Sequence, residues 1–539
     1  TKETAQSGAL LTARGLTNEG TEVLVSLKET CSEVTTSKVV EENGKILNAY
    51  LFKLRKGTSV TITKTASEHI AGFDQNVSTD TLSFANLLKE HEKAFAKKFR
   101  SARISIKDGK DDNAEFITNY SIYQLLILAN HDFITSIPAR GLSGAVYKGA
   151  VFWDTEIFML PFFLMVDEKE SRNLLCYRIN GLKGALEKSK GFGFKGAFYA
   201  WESQEYGREA CSLYNVTDAK TGQPIRTYFA DKQIHISADV LYGFIRYIEK
   251  TQDFSILFEG GYEVFAAVMR FYISFAKLGS DGKNHFLDVV GPDEYHERID
   301  DNAFTNYHVY FTGKKFLEYA AKSPSPALTH ALEKYGLTIV NIASFLDSIY
   351  LPQPNKVGVI EQFRGYFGLR DTTVAEVRSH MNDKRQYLGG LAKDTQIIKQ
   401  ADVITLLGLY PDCFAPSVLK ANYEYYAPRT EHGSSLSSSM HSLVAARIGK
   451  EDEAYRFFLK SASIDLSKDQ KMYAGTIFIG GTHPASNAGA YNAIVYGFLG
   501  CTAKDGRLSF NPRFPPAISA VTITYLDHGV YKRRTFRND

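Results

Sequence analysis

The pattern of apolar and polar positions divides the chain into four regions. Residues 1–72 alternate between apolar and polar side chains and are rich in β-branched residues, which predicts short strands. Between 80 and 103 the apolar residues recur every three or four positions, which predicts one helix with a charged outer face. Helical periodicity continues from 116 to 500, and alternation returns in 507–539. The chain is therefore predicted to be mainly α, with β structure at both ends.

The long central region is predicted to contain twelve helices. They span 116–130, 154–165, 171–190, 237–251, 262–278, 304–322, 327–348, 395–407, 418–426, 436–448, 453–461 and 488–500. Short turns alternate with long loops rich in Gly, Asp and Glu, as a barrel of six helical hairpins requires. A helical solenoid would have similar helices, but the region has no repeat of fixed length.

Composition narrows the classes of function. The 539 residues are 44% hydrophobic and 23% charged, which is typical of globular proteins, and the net charge of +3 is too small to suggest a nucleic-acid partner. No apolar run is long enough to cross a membrane. The five cysteines are scattered and form no CxxC pair, so a reducing, cytoplasmic compartment is favoured. Because the chain begins at Thr1 with only part of a β domain, we expect 1–72 to belong to a longer domain.

An acidic segment at 288–306 joins two predicted helices and is the strongest candidate for a catalytic loop. Gly291 and Pro292 end the preceding element, and Asp293 and Glu294 follow at once. Loops that present carboxylates above a rigid scaffold often carry catalytic residues. An Asp-Glu pair at a helix start also serves as a cap, and the segment alone would favour that interpretation.

Both tryptophans of the chain lie in other long loops beside acids. Trp153 precedes Asp154, and Trp201 precedes Glu202. An indole ring can cover the apolar face of a sugar while a carboxylate accepts its hydroxyl hydrogens. Packing in the core is an equally good explanation for either ring taken alone.

Two further loops carry hydrogen-bond donors. Lys399 and Gln400 lead into an apolar run, and either they donate to hydroxyls or they flank a helix without a role. Ser434 and Ser435 precede a predicted helix, and a second loop carries His483. Hydroxyls and amide groups at a helix start can receive an oxyanion, although an isolated Ser pair is more often a helix cap.

Three sequence blocks in this order resemble glycoside hydrolase family 65. They are FWDTE at 152–156, GPDEYH at 291–296 and KQAD at 399–402. The resemblance covers about 119–500 and implies an (α/α)6 barrel flanked by an N-terminal β-sandwich, here partial, and a small C-terminal β domain. The implied divisions are 1–78 for the β-sandwich portion, 79–112 for a helical linker, 113–501 for the barrel and 502–539 for the C-terminal β segment.

The resemblance also implies the chemistry. Members of the family cleave α-glucosidic disaccharides with inversion, mostly by phosphorolysis and in some cases by hydrolysis, with no metal or organic cofactor and often as homodimers. Glu294 would be the general acid that protonates the glycosidic oxygen. The residues that would hold the glucosyl unit are Trp153, Asp154, Trp201, Glu202, Lys399 and Gln400. The residues that would hold phosphate are Ser434, Ser435 and His483.

The nucleophile decides between a phosphorylase and a hydrolase. An inverting hydrolase needs a second carboxylate as base for water, whereas phosphate needs only donors and positive neighbours. In hydrolytic relatives this base lies before the last barrel helix, where residues 471–481 contain no Asp or Glu. Phosphorolysis to β-glucose 1-phosphate is therefore predicted. The alternative is a kojibiose- or trehalose-type hydrolase with Glu431 as base, since a carboxylate beside the Ser pair would repel phosphate.

Two other classes of function compete with an enzyme. A catalytically silent glycan-binding protein would not need an acid at Glu294, and a helical scaffold for protein partners would leave the two Trp-acid loops without a purpose. Ala150, Ala200 and Pro484 depart from the usual family pattern near the sugar and anion pockets. The linkage that is cleaved is therefore left open.

Overall fold

The computed structural model of the chain describes most of its residues. The described ranges are 3–7, 10–17, 20–33, 36–42, 45–70, 83–109, 113–131, 134–144, 147–214, 216–217, 221–382, 388–467, 473–474, 477–478 and 480–538. The predicted domain boundaries at 78/79 and 112/113, and residues 471–472, 475–476 and 479 of the loop before the last predicted helix, touch residues outside these ranges.

The chain forms two compact units, Thr1–Lys97 and Lys98–Asp539. The first unit is antiparallel β structure, which confirms the strands predicted from the alternating pattern. Its strands are β1 (Glu3–Ser7), β2 (Leu10–Leu16), β3 (Glu22–Cys31), β4 (Thr36–Glu42), β5 (Lys45–Leu51) and β6 (Ile62–Ile70). One sheet has the order β1-β2-β3-β6, and β4 and β5 form a hairpin. Helix α1 (Phe84–Arg100) follows and confirms the helix predicted over 80–103.

The second unit is mainly helical. Its α-helices are α2 (Ala114–Leu126), α3 (Leu160–Val166), α4 (Glu168–Asn180), α5 (Leu182–Gly191), α6 (Phe229–Lys232), α7 (His235–Thr251), α8 (Tyr262–Phe275), α9 (Ala303–Lys322), α10 (Pro326–Lys334), α11 (Ile339–Ser348), α12 (Val374–Ser379), α13 (Gly389–Ala392), α14 (Val403–Leu409), α15 (Pro416–Tyr426), α16 (Ser437–Arg447), α17 (Glu451–Ala462) and α18 (Pro484–Asn492). Its strands are β7 (Ile104–Asp108), β8 (Val216–Thr217), β9 (Pro224–Ile225), β10 (Lys277–Leu278), β11 (Asn284–His285), β12 (Tyr473–Ala474), β13 (Ile477–Phe478), β14 (Thr502–Lys504), β15 (Arg507–Ser509), β16 (Ile518–Asp527) and β17 (Val530–Arg537).

Most of the predicted helices are present. Those expected over 171–190 and 327–348 are each divided into two, and one prediction is wrong over half of its length. The helix expected over 395–407 begins only at Val403. Residues 395–402 are held instead by neighbouring loops, because Gln396 N–H donates to the Arg370 carbonyl over 3.0 Å and Ile398 N–H donates to the Arg429 carbonyl over 3.0 Å. Apolar periodicity does not detect such tertiary bonding.

Six helices of the second unit make a closed series of contacts. Helix α3 contacts α7, α7 contacts α9, α9 contacts α14, α14 contacts α16, α16 contacts α18, and α18 contacts α3 again. Further helices pack outside this series, since α17 contacts both α16 and α18, and α15 contacts both α14 and α16. The core-facing side chains are largely apolar and aromatic, as the many Phe and Tyr residues of the sequence would require.

The C-terminal strands form a sheet with a strand from an earlier part of the chain. Strand β16 pairs antiparallel with β17 on one side and with β7 on the other, where Val521 lies opposite Ile106. The last strands of the chain therefore pair with the segment that precedes α2, a pairing for which the sequence carries no local signal. Within the part of the chain that the structure describes, no helix combines the length and apolar character that crossing a bilayer requires.

Candidate active site

The acidic loop predicted to be catalytic is closed at its base by a short antiparallel bridge. Val289 N–H donates to the Ile299 carbonyl over 2.8 Å, and Ile299 N–H donates back over 2.9 Å. Helix α9 begins soon after, where the side chain of the N-cap Asn302 accepts a hydrogen bond from Thr305 N–H. The loop therefore projects residues 290–298 from a fixed base, which confirms the loop-then-helix prediction.

Asp293 fixes the backbone next to Glu294. Its buried carboxylate accepts at Oδ1 from Lys399 N–H over 2.7 Å and from Tyr295 N–H over 3.3 Å. At Oδ2 it accepts from His296 Nδ1 over 2.7 Å and from Gln362 Nε2 over 3.2 Å. One carboxylate thus binds its own loop to two other segments, which immobilises the backbone that carries Glu294.

Asp402 lies directly behind this loop and is fully buried. It accepts from Asp293 N–H over 3.2 Å and from Asn302 Nδ2, which is 3.1 Å from Oδ2 and 3.2 Å from Oδ1. Burial and the neighbouring Asp293 charge raise the pKa of Asp402 to about 8. The packing also explains Gly291, where a Cβ atom would lie 2.4 Å from Asn302 Nδ2 and 2.6 Å from Asp402 Oδ2.

Asp402 should make folding pH-dependent. Its pKa rises from the ordinary 3.8 to about 8 in the folded chain, so the folded state retains a proton that the unfolded state loses. The stability that this proton supplies is complete below about pH 4 and is lost as the pH rises towards 8. Because an asparagine side chain cannot ionise, we expect the melting temperature of Asp402→Asn, relative to the parent chain, to increase between pH 5 and pH 8. A difference that stays constant over this range in calorimetry would contradict the assignment.

Glu294 and Lys399 meet at the end of the loop. Lys399 Nζ lies 2.7 Å from Glu294 Oε2, and the two side chains are 19% and 16% exposed. The Lys399 carbonyl accepts from Gly433 N–H over 2.6 Å, and Gln400 Nε2 donates to the Pro292 carbonyl. The structure thus brings the predicted acid, the Lys-Gln pair and the loop of the Ser pair into one cluster.

Asp154 lies close enough to Glu294 for the two carboxyl groups to interact electrostatically. It is partly buried, and burial raises its pKa to about 7, with the charges of Glu156 and Glu294 adding to this effect and that of Arg140 opposing it. Arg140 also donates, through Nη1, to the Thr482 carbonyl at 3.5 Å. Arg140 therefore connects the loop of Asp154 with the loop that carries His483.

Trp153 lies deeper than its predicted role requires. Its side chain is 2% exposed and packs edge to face against His235, with ring centroids 5.0 Å apart. It lines a narrow gap, too small for a water molecule, together with Gln400 and Ser437. His235, on which the Trp153 ring packs, belongs to a buried polar network, and its Nδ1 lies 2.7 Å from an oxygen of Asp239.

Trp201 and Glu202 sit in a loop that is bonded to the Trp153 loop. Two hydrogen bonds of 2.8 and 2.9 Å join Val151 to Ser203, and the Trp201 ring packs edge to face on Phe152. Glu202 is buried, and Lys148 Nζ lies 3.3 Å from its carboxylate. The carboxylate that shapes the loop belongs to Glu209, which accepts from the N–H groups of residues 201, 202 and 211.

The predicted anion-binding residues lie at the starts of α16 and α18. Ser434 and Ser435 are partly buried just before α16, and the Ser434 hydroxyl accepts from Leu436 N–H over 3.3 Å. His483 precedes α18 and is buried; its Nδ1 lies 2.6 Å from Asp465 Oδ1. Among the described residues, His483 Nε2 has no hydrogen-bond partner. Asp465 thus fixes the ring, while Nε2 is itself buried.

Both carboxylate oxygens of Glu431, the predicted alternative base, accept hydrogen bonds from neighbouring residues. Its side chain is 5% exposed and accepts from the Tyr295 hydroxyl, from Arg378 Nη2 over 3.0 Å and from Leu388 N–H over 3.3 Å. The ion pair with Arg378 offsets its charge beside the Ser pair.

A comparison with family models decides the classification. Residues 119–492 match the glycosyl hydrolase family 65 central catalytic domain. The chain belongs to glycosyl hydrolase family 65.

Three of its relatives in family 65 are phosphorylases by name. Nigerose phosphorylase of Lachnoclostridium phytofermentans is 39% identical over 536 residues, which cover 95% of this chain and 71% of that protein. The 1,2-alpha-glucosylglycerol phosphorylase of Bacillus selenitireducens is 36% identical, over 86% of this chain and 60% of that protein. Kojibiose phosphorylase of Halothermothrix orenii is 35% identical, over 85% of this chain and 59% of that protein. The chain thus spans about six tenths of the length of the second and third relatives.

A solved structure shares the fold. It is described as a candidate kojibiose phosphorylase from the human microbiome, and it aligns with 100% of this chain and 73% of its own chain at a TM-score of 0.80 and 24% identity.

Several residues of this family 65 site were missed by sequence reasoning. Asp239 and Glu209 support the two tryptophan loops, and Arg140 and Asp465 support the His483 loop. Arg140 acts across 342 residues of sequence and Asp239 lies within an ordinary helix pattern, whereas Glu209 and Asp465 act over only 8 and 18 residues. No local motif marks them, since their role depends on which loops the fold brings together.

Proposed function

We propose that the chain is an inverting glycoside phosphorylase that cleaves an α-linked glucosyl disaccharide with phosphate and yields β-glucose 1-phosphate. The contact between Glu294 and Lys399, whose backbone is bonded to the loop of Ser434 and Ser435, carries the proposal. This contact supports our assignment of a proton donor and an anion receptor to connected segments. The names of the relatives support the same reaction.

We also propose the finer architecture. The closed series of contacts through α3, α7, α9, α14, α16 and α18 supports an (α/α)6 barrel, with the remaining long helices outside it. The antiparallel unit at the N-terminus supports part of a β-sandwich, and β14–β17 support a small C-terminal β region. A homodimer and a cytoplasmic location stay predictions from the sequence.

The acid side of the proposed reaction rests on Glu294. Its carboxyl group gives a proton to the glycosidic oxygen as the bond to the anomeric carbon breaks, and the proton leaves with the acceptor sugar. Asp293 holds the backbone of Glu294 in place through four hydrogen bonds. We propose that Lys399, in contact with Glu294, also donates to a sugar hydroxyl.

The glucosyl unit is proposed to lie between the two tryptophan loops. Asp154 accepts hydroxyl hydrogens near Arg140, and Gln400 offers an amide oxygen that has no hydrogen-bond partner among the described residues. We propose that Trp153, Trp201 and Glu202, which are all buried, form the wall behind these polar groups. A buried wall of this kind excludes water and fixes the orientation of the polar groups.

Phosphate is proposed to attack from the face opposite to Glu294. The Ser434 and Ser435 hydroxyls and the free Nε2 of His483 would bind its oxygens. One phosphate oxygen forms a bond to the anomeric carbon while the acceptor oxygen leaves, so the α linkage becomes a β phosphate. Because phosphate is the nucleophile and Glu294 the acid, the reaction requires no metal or organic cofactor.

The geometry of Glu431 disfavours the hydrolase alternative. A base for water needs a carboxylate oxygen that faces the attacking water. Both oxygens of Glu431 accept hydrogen bonds from protein groups, and Arg378 lies 3.0 Å from one of them. Water at Glu431 would have to displace these partners.

The proposal is tested by the dependence of cleavage on phosphate. We expect α-linked diglucosides such as kojibiose and nigerose to be cleaved only when phosphate is present, with one sugar phosphate formed per acceptor released. Ser434→Ala should raise the KM for phosphate about tenfold, since a hydrogen bond to a charged group is lost. Ser442→Ala, which removes a buried hydroxyl elsewhere on α16, is the matched control. Release of glucose at equal rates with and without phosphate would favour the hydrolase.

A further inference from the structure

Glu431 joins three segments around the proposed active site. Its Oε2 accepts from the hydroxyl of Tyr295, the residue directly after Glu294. Its Oε1 accepts from Arg378 Nη2 over 3.0 Å and from Leu388 N–H over 3.3 Å. Its own N–H donates to the Ile398 carbonyl over 2.9 Å, next to Lys399.

Apolar packing reinforces the junction of these three segments at Glu431. Tyr295 and Ile397 form a buried cluster with Leu388 and Ala392, and residues 374, 377 and 381 pack against it. The Tyr295 ring therefore connects the acid loop with the segment that carries Arg378. Its hydroxyl reaches Glu431 from within this cluster, so the hydrogen bond is shielded from water and is worth more than an exposed one.

The junction also explains why a carboxylate is tolerated beside an anion receptor. Glu431 stands three residues before Ser434, where an unpaired negative charge would repel phosphate. Arg378 forms an ion pair with it, and the Tyr295 hydroxyl and Leu388 N–H supply two more donors. The Glu431 carboxylate is therefore neutralised locally and held as an acceptor of hydrogen bonds.

We propose that Glu431 is a positioning residue that holds the loop of the acid Glu294, through Tyr295, in register with the loop of Ser434 and Ser435. This proposal rests on the proposed phosphorolysis. Glu431 touches neither the reacting bond nor the phosphate. It fixes the distance between the segment that delivers the proton and the segment that holds the nucleophile.

Two nearly isosteric variants test the link. Tyr295→Phe removes the hydroxyl that reaches Glu431. Glu431→Gln leaves one accepting oxygen where the carboxylate has two, so either the Tyr295 or the Arg378 side of the junction must break. We expect each variant to lower kcat for phosphorolysis about tenfold, which is the effect of one hydrogen bond on a transition state. We expect the double variant to lose about tenfold and not a hundredfold, because both changes break the same link.

A substrate that needs no proton distinguishes positioning of the acid from general damage. Fluoride leaves α-glucosyl fluoride without a proton from Glu294, while phosphate attacks the same carbon. We expect both variants to turn over α-glucosyl fluoride and phosphate within about threefold of the parent rate. Equal losses with fluoride and disaccharide would overturn the proposal.

A second tyrosine–glutamate pair serves as a matched control. The buried Tyr423 hydroxyl donates to Glu453 over 2.8 Å, and Lys450 pairs with that carboxylate at 3.1 Å. Tyr423→Phe and Glu453→Gln should change the melting temperature as much as the Tyr295 and Glu431 variants, with kcat unchanged. If the two pairs behave alike in kcat, or if Glu431→Gln alone abolishes hydrolysis and leaves phosphorolysis intact, the inference fails. A parent chain without any phosphorolysis would instead refute the proposed function.

Discussion

Glu294→Gln is expected to lower kcat for phosphorolysis on the order of a thousandfold, within the range that general acid catalysis supplies. The amide keeps the shape of the side chain but has no acidic proton to give to the leaving oxygen. The side chain is only partly buried, and its polar contact among the described residues is Lys399, so the fold should persist. Initial rates of sugar phosphate formation from a disaccharide measure the loss.

The matched control for this variant is Glu263→Gln. Lys334 Nζ lies 2.6 Å from Glu263, so a comparable Glu–Lys contact is removed from helix α8. We expect its activity to equal that of the parent chain. With α-glucosyl fluoride, Glu294→Gln should lose far less than with the disaccharide. A Glu294→Gln variant that cleaves the disaccharide at the parent rate is incompatible with an acid at this position.

Asp293→Asn is expected to lower both stability and kcat. Oδ1 of Asp293 serves two backbone N–H groups, and Oδ2 serves His296 and Gln362. An amide has one accepting oxygen, so one of these pairs loses its acceptor, and stability should fall by about 3 kcal/mol. Displacement of the loop should lower kcat on the order of a hundredfold, since a shift of about 1 Å is enough to misplace the acid. Thermal unfolding and steady-state kinetics of the same preparation measure both effects.

Asp167→Asn separates the two effects. Asp167 also accepts one backbone N–H, from Glu170 over 3.1 Å, and one histidine nitrogen, from His131 at 2.7 Å, but it caps helix α4. We expect this variant to lose stability while its kcat is unchanged. If Asp293→Asn likewise retains full kcat, Asp293 supports the fold without positioning Glu294.

The sequence predicts well what depends on local pattern. The helices of the second unit recur at the apolar period, and Gly291 and Pro292 mark a loop that the structure indeed forms. That Lys399 and Glu294 belong to one site is predicted only through the resemblance to family 65, since 105 residues separate the two positions. Trp153 and Trp201 lie beside acids, as the sequence shows, but both rings are buried, so each also packs in the core.

What the sequence could not predict depends on bonds between distant segments. Residues 395–402 carry helical periodicity but are held by residues 370 and 429. Glu431 precedes a Ser pair like a free base, yet its partners are Tyr295 and Arg378. Strand β7 finds its partner β16 some four hundred residues later. In each case the deciding contact is made by tertiary packing, which overrides a local preference.

The stereochemistry of the first product tests the central claim most directly. Proton NMR of the parent chain acting on an α-linked diglucoside in phosphate buffer resolves the anomers of glucose 1-phosphate as they form. Attack by phosphate opposite to Glu294 predicts β-glucose 1-phosphate in step with the released acceptor. Formation of α-glucose 1-phosphate, or of free glucose with no sugar phosphate, would contradict it.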